Sequence, residues 1–194
     1  HATRTAETPH APRTAETPHA PRTADTRGEP TEAAAPLDPI AAAARLAGLP
    51  GRALLHGARD DDGLGRWSFA TATPTATLIA RGRSILELDR GGRPARRYSA
   101  DPLEAAEAFL AAHGCTRAAR ADEPPAPRVI GFLAYDLVRA FARLPGGGAA
   151  LDHATPDLWL AAYGAVARWD HADGAAVGPV VVGPDPVARA ALAE

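Results

Sequence analysis

The dipeptide Asp-Pro occurs three times, at 38–39, 101–102 and 185–186, each time ahead of an alanine-rich apolar run. No other feature constrains the fold as much. An aspartate at the N-cap accepts hydrogen bonds from the first free backbone N–H groups of a helix. Proline at the next position has no N–H to lose and a φ already set for helix. LDPIAAAARLAGLPG therefore predicts a helix opened by Asp38 and stopped by Gly48. DPLEAAEAFLAAHG adds Glu104 at the third helical position and Gly114 as the stop. Its apolar residues Leu103, Ala106, Phe109 and Leu110 fall on one helical face. DPVARAALAE opens a third helix that runs to the last residues of the sequence.

What lies between these starts reads as β-structure. ALLHG, WSFAT, ATLIA and SILELD are short and rich in β-formers or in alternation. Gly91-Gly92 predicts a turn from SILELDR into PARRYS. LWLAAYGAVARWDH, 158–171, is long for one strand, but its apolar residues alternate throughout. Asp173-Gly174 predicts a hairpin turn that returns through AVGPVVVG. TRAARADEPPAPR, 116–128, has the composition of a surface loop. These elements predict an α+β fold, a mostly antiparallel sheet with a few packed helices.

Residues 1–35 are different material. RTAETPHAP stands at 4–12 and again at 13–21, RTADTRGEP at 22–30 is a decayed third copy, and no large apolar residue precedes Leu37. Such a segment cannot bury enough surface to offset its ordering entropy, so a disordered tail over 1–35 and a folded domain over 36–194 are expected. The repeat histidines His10 and His19 are a weak ligand set on a flexible chain, and duplication of a linker explains them.

The folded part has the apolar content for a real core, since hydrophobic residues make up 46% of the 194 residues. The formal net charge is −2 and lysine is absent, so no clustered basic face points to nucleic acid or an anionic membrane. No apolar run approaches the roughly 20 residues of a membrane span, and the N-terminus has no signal-peptide core. Cys115 is the only cysteine. It has no disulfide partner, which fits a reducing, cytoplasmic setting. The sequence starts at His1 without any methionine, which predicts a fragment of a longer protein.

Candidate chemistry concentrates in ALLHGARDDDGLGRWSFAT, 53–71. An EF-hand loop beginning at Asp60 would have Asp62 and Gly65 in place, but Leu64 stands where an oxygen ligand is needed and Thr71 where a carboxylate is needed. A solvated acidic turn between two strands is the simpler reading. His56 sits in an apolar run with no nucleophile motif around it and reads as a structural side chain. Gly146-Gly147-Gly148 lacks the lysine and hydroxyl of a phosphate loop. In IGFLAYDLVRAFARLP, 130–145, a strand would feed a helix capped by Asp136, with Arg139 spaced to pair with it. From the residues themselves, no self-contained catalytic site emerges.

The segments LLHG, GRWSF, IGFLAYDLVRAFARLP and TPDLWLAAYGAVARWDH, in this order, resemble the N-terminal domain of the chorismate-utilising synthases. These are component I of anthranilate synthase and of aminodeoxychorismate synthase. The third segment follows a pattern close to GxxGYDLxRxxExLP, with Ala142 at the usual acidic position. The fourth follows PDLxxxxYDxxxxxDH through Pro156, Asp157, Leu158, Tyr163, Asp170 and His171, with Gly164 for the usual Asp. The resemblance covers about residues 40–194. Anthranilate synthases typically carry LLES at the first motif and aminodeoxychorismate synthases LLHS-like versions, so His56 leans toward the folate branch, while Gly57 departs from the serine of both.

The resemblance implies a tryptophan-type pocket at Gly57, Leu64, Gly65, Arg66 and Trp67. There Arg66 would face a ligand carboxylate and Trp67 would form an apolar wall. It implies no catalytic residue and no cofactor in this chain. Chorismate, Mg2+ and the amination belong to a C-terminal chorismate-binding domain of the same enzyme, and ammonia to a glutamine amidotransferase subunit or domain. The expected function is therefore that of a scaffold within an aminodeoxychorismate synthase component I serving p-aminobenzoate and folate biosynthesis. The alternatives are the matching part of anthranilate synthase, a stand-alone amino-acid-binding module, or a metal-binding domain built on the aspartates and repeat histidines.

Overall fold

The computed structural model describes residues 37–57, 65–115, 123–140, 142, 155–172 and 178–193. The chain divides after Ala34, and these residues all fall in the 35–194 unit. The acidic run 60–62, Leu64, the glycines at 146–148 and the turn at Asp173-Gly174 lie outside the described residues.

All three Asp-Pro starts open helices. Asp38 accepts from the backbone of Ile40 and Ala41 at the start of α1 (Pro39–Arg45), at 2.8 and 3.0 Å. Asp101 accepts from Leu103 and Glu104 at the start of α2 (Pro102–Ala112). Asp185 accepts from Val187 and Ala188 at the start of α3 (Pro186–Ala193). Gly114 follows α2 at φ +74°, a left-handed backbone that glycine adopts without penalty. Ala106 and Phe109 are buried on the expected face, Leu103 and Leu110 pack partly beside them, and Ala105 joins the face.

The strands form two antiparallel sheets. The first contains β1 (Ala53–Leu55), β2 (Trp67–Thr71), β8 (Val166–Asp170) and β9 (Val180–Val182), in the order β1-β2-β8-β9. The second contains β3 (Ala76–Arg81), β4 (Ser84–Leu88), β5 (Pro94–Ser99), β6 (Val129–Leu133) and β7 (Leu158–Ala162), in the order β5-β4-β3-β7-β6. The architecture is α+β, as the alternation predicts. The turn at 91–92 is present, with Gly92 N–H donating to Asp89 O at 2.9 Å.

Two expectations are corrected. The apolar run 158–171 is not one strand but two, β7 and β8, in different sheets. Both halves are buried on both faces, so the apolar run continues unbroken and the sequence carries no mark of the sheet change except Gly164. A Cβ at Gly164 would lie 2.8 Å from the Asp185 Cβ and 3.0 Å from the Ala188 Cβ, so α3 is seated where a side chain would be. The second correction concerns 135–140, which forms a 3-10 helix with Asp136 inside it, not an α-helix that Asp136 caps.

The core follows from this layout. Leu78, Ile85, Leu158 and Leu160 of the second sheet pack on Phe109 of α2. Phe69, Ile130, Tyr163 and Val166 pack together where the chain passes between sheets. Trp169 packs with Ala70, Ala167 and Ala42 of α1, and its indole N–H donates to Leu37 O at 2.8 Å. Leu78 is fully buried. In urea titrations Leu78→Ala should lose about 2–5 kcal/mol, whereas Asp101→Ala, which removes only a cap, should lose about 1 kcal/mol. Equal losses would show that the sheet core is not the principal support.

Candidate functional site

The stretch GRWSF splits across the first sheet. Side chains alternate along a strand, so Trp67 and Ser68 point to opposite faces. Each face gathers its own set of polar side chains, and strand register decides which.

On one face stands Ser68, whose side chain is fully buried. Leu55 pairs with Phe69, so His56 falls opposite Ser68. Ser68 also pairs with Trp169, and His171, two residues on, shares that face. Its backbone N–H continues the ladder by donating to Arg66 O at 2.8 Å. The Ser68 hydroxyl is thus met from three sides. Gly57 N–H donates to its Oγ at 3.0 Å, His56 Nδ1 lies at 3.1 Å and His171 Nε2 at 2.7 Å. The two imidazoles stand almost edge to face, with centroids 6.3 Å apart. A hydroxyl has one proton and two lone pairs. Gly57 takes one lone pair, so one imidazole donates into the other and the second imidazole receives the hydroxyl proton.

The opposite face is ionic. Arg66 holds Asp170 in a two-pronged pair, Nε to Oδ1 at 2.8 Å and Nη2 to Oδ2 at 2.7 Å. The same guanidinium lies 4.8 Å from the centre of the Trp67 ring, and that of Arg168 lies 5.3 Å from it. Arg168 also donates to Pro125 O. The hydrogen bond from Arg66, assisted by the Ala172 N–H and the two arginine charges, lowers the Asp170 carboxyl to about 2 against the opposing effect of burial.

The residues singled out in sequence are therefore placed as follows. Arg66 and Trp67 are together, with Arg66 engaged by Asp170. Gly65 and Gly57 are in contact. A Cβ at Gly57 would run into the Gly65 carbonyl and come within 2.7 Å of the Trp67 carbonyl oxygen, so this backbone has no room for the family serine. Leu64 lies outside the described residues. His56, read as a structural side chain, is exposed just beyond β1 and bonded to Ser68. Sequence reasoning did not single out Ser68. The only signal was its place in GRWSF, and nothing in spacing relates residues 56, 68 and 171 without the register. Cys115 is partly buried, its thiol near His113 O.

Elsewhere, two adjoining cavities of about 230 and 240 Å³ share Arg128, Tyr163 and Pro184. The phenol of Tyr163 donates to Gly51 O at 2.7 Å, and burial pushes it up to about 12. A third cavity, about 320 Å³, lies between β4, β5 and α2 beside Tyr98 and Phe109. No helix among the described residues is long and apolar enough to cross a membrane.

The fold and this two-faced sheet define an antiparallel α+β domain with polar side chains grouped across β1, β2 and β8. Sequence comparison gives the class a more particular relative. The chain is 35% identical over 139 residues to anthranilate synthase component 1 of Mycobacterium tuberculosis, a match that takes in 66% of this chain and 25% of that protein. It is 34% identical over 130 residues to the same component of Mycolicibacterium smegmatis, covering 66% of this chain and 24% of that protein. The chain thus matches about a quarter of the length of these relatives. Among solved structures, anthranilate synthase component I from Streptococcus pneumoniae TIGR4 aligns with 80% of this chain and 31% of its own, at 19% identity and a TM-score of 0.41. No protein-family model matches the chain.

The Arg66–Asp170 pair has a pH signature. A carboxyl lowered on folding adds stability that is fully present above its unfolded pKa, near 3.9, and is lost as pH falls toward about 2. Arg66→Ala should raise the Asp170 carboxyl toward the ordinary range in a carboxyl NMR titration. The stability advantage of wild type over this variant should fade between pH 4 and pH 2. A carboxyl that stays near 2 in the variant would rule out Arg66 as the cause.

Proposed function

We propose that residues 36–194 are the N-terminal portion of component I of a chorismate-aminating synthase, acting as a scaffold and not as the catalytic part. The observation that carries this reading is the 35% identity over 139 residues to anthranilate synthase component 1. In this reading chorismate and Mg2+ belong to a chorismate-binding domain, and ammonia to a glutamine amidotransferase partner. A scaffolding role is supported by an apolar margin along β6 and the 3-10 helix after it. Phe132 is 41% exposed, Leu133 59% and Tyr135 90%, a stripe suited to being covered by another part of the assembly.

The relatives named above favour the anthranilate branch. The folate branch, aminodeoxychorismate synthase, is the second reading, and His56 in the LLHG motif favours it. The amino-acid pocket is the weaker part of the family reading for this chain. Arg66 would have to leave a bidentate carboxylate partner to bind another, and Gly57 offers no hydroxyl.

Two experiments test the proposal. The full reading frame that carries this chain, purified and supplied with chorismate, Mg2+ and ammonium, should consume chorismate. Fluorescent anthranilate would mark the first branch, and 4-amino-4-deoxychorismate, detected by mass, the second. Untouched chorismate would overturn the family reading. Separately, calorimetric titration of this chain with L-tryptophan should stay silent at millimolar ligand. Saturable heat that Arg66→Ala abolishes would restore the pocket and displace the purely scaffolding role.

A further inference from the structure

The imidazoles of His56 and His171 come from strands that do not neighbour each other. His56 follows the edge strand β1 and His171 follows β8, with β2 between them. Their nearer nitrogens nevertheless aim at one oxygen, Ser68 Oγ, at 3.1 and 2.7 Å, which leaves the two nitrogens no more than about 5.8 Å apart. Two imidazoles converging on one point across a strand are the arrangement a borderline transition metal selects. We infer that His56 Nδ1 and His171 Nε2, with Ser68 Oγ beside them, form a binding site for Zn2+, Ni2+ or Cu2+.

Binding requires the two nitrogens to draw together. At metal–nitrogen distances of about 2.0–2.1 Å, a tetrahedral ion holds its two nitrogens roughly 3.3 Å apart. His56 is exposed and lies beyond the end of a three-residue edge strand, so side-chain rotation and a small shift of that end can close the gap. The exposed side also lets the ion in. The proton inventory balances within each ring. The imidazole that donates into Ser68 moves its proton to its other ring nitrogen, both metal-facing nitrogens become lone-pair donors, and no proton is released. Gly57 N–H stays on Ser68 Oγ, whose hydroxyl keeps its proton and supplies its other lone pair to the ion or to a metal-bound water.

The donor set fixes the class of ion. Neutral imidazole nitrogens suit Zn2+, Ni2+ and Cu2+, whereas Mg2+ and Ca2+ require oxygen. Asp170 is one residue away, but Arg66 and the Ala172 N–H occupy its carboxylate. Among the described residues no third His, Cys, Asp or Glu joins the pair. In this arrangement water completes the coordination. An ion held this way clips β1 to β8 across β2, and because it binds only the folded sheet it raises the melting temperature.

The test uses the full chain, stripped with chelator and titrated with Zn2+ and Ni2+ against a chromophoric competitor. Binding of one ion per chain is expected, together with a concentration-dependent rise in Tm. His56→Ala and His171→Ala should each weaken binding more than about tenfold and abolish that rise, a loss at least as large as removal of a supporting residue causes. A control with His1, His10, His19 and His153 all changed to alanine should bind as wild type does. The imidazole 15N signals of wild type keep the inference testable if either variant folds poorly. Zn2+ should shift Nδ1 of His56 and Nε2 of His171. No binding by wild type at millimolar metal, binding unchanged in both single variants, loss of binding in the four-histidine control, or Zn2+ shifts confined to other histidines would each overturn it.

Discussion

Everything in this domain depends on the corner at Tyr163-Gly164-Ala165, where one run of chain leaves the second sheet and enters the first. The corner is held from several directions. Tyr163 N–H donates to Arg128 O, its phenol donates to Gly51 O, and Gly164 O accepts from Asp185 N–H. Thr71, fully buried on β2, donates its hydroxyl to Ala165 O at 2.7 Å. These bonds satisfy the backbone where neither sheet ladder can reach it. They also bring the start of α3 onto Gly164, so Asp185 serves the helix through its capping carboxylate and the corner through its backbone N–H.

The corner sets β8 beside β2, and that pairing builds both polar groups. With Trp67 opposite Asp170, Arg66 at the strand end reaches the carboxylate and lies against the indole. With Ser68 opposite Trp169, His171 reaches the hydroxyl diagonally while His56 reaches it directly. The two faces are separated by single-residue alternation, so a slip of one position would exchange them and bury the ion pair. Trp169, locked against α1 by its contacts and its bond to Leu37, opposes such a slip.

The helices were legible because their signals are local. An aspartate side chain bonds to N–H groups two and three residues on, and proline fixes its own φ, so Asp38, Asp101 and Asp185 announce themselves in isolation. The strands at 67–71, 76–81, 84–88 and 94–99 were legible through alternation and the Gly91-Gly92 turn. The 158–171 run was not, because burial on both sides of Gly164 leaves the same apolar pattern that one long strand would leave. The site was legible only in part. Arg66 and Trp67 stood out as neighbours, but the partner that engages Arg66 lies 104 positions away. Ser68 carried no signal of its own.

The sequence by itself determined where helices start, which residues are apolar enough for a core, and that the chain from about residue 40 onward resembles one family in ordered segments. These follow from forces acting over a few residues, or from residue identity alone. Tertiary structure alone decided that one apolar run serves two sheets, that Gly57 has no room for a side chain, and that His56, Ser68 and His171 meet. Such facts depend on strand register and on backbone brought close by distant segments, and no local preference encodes them.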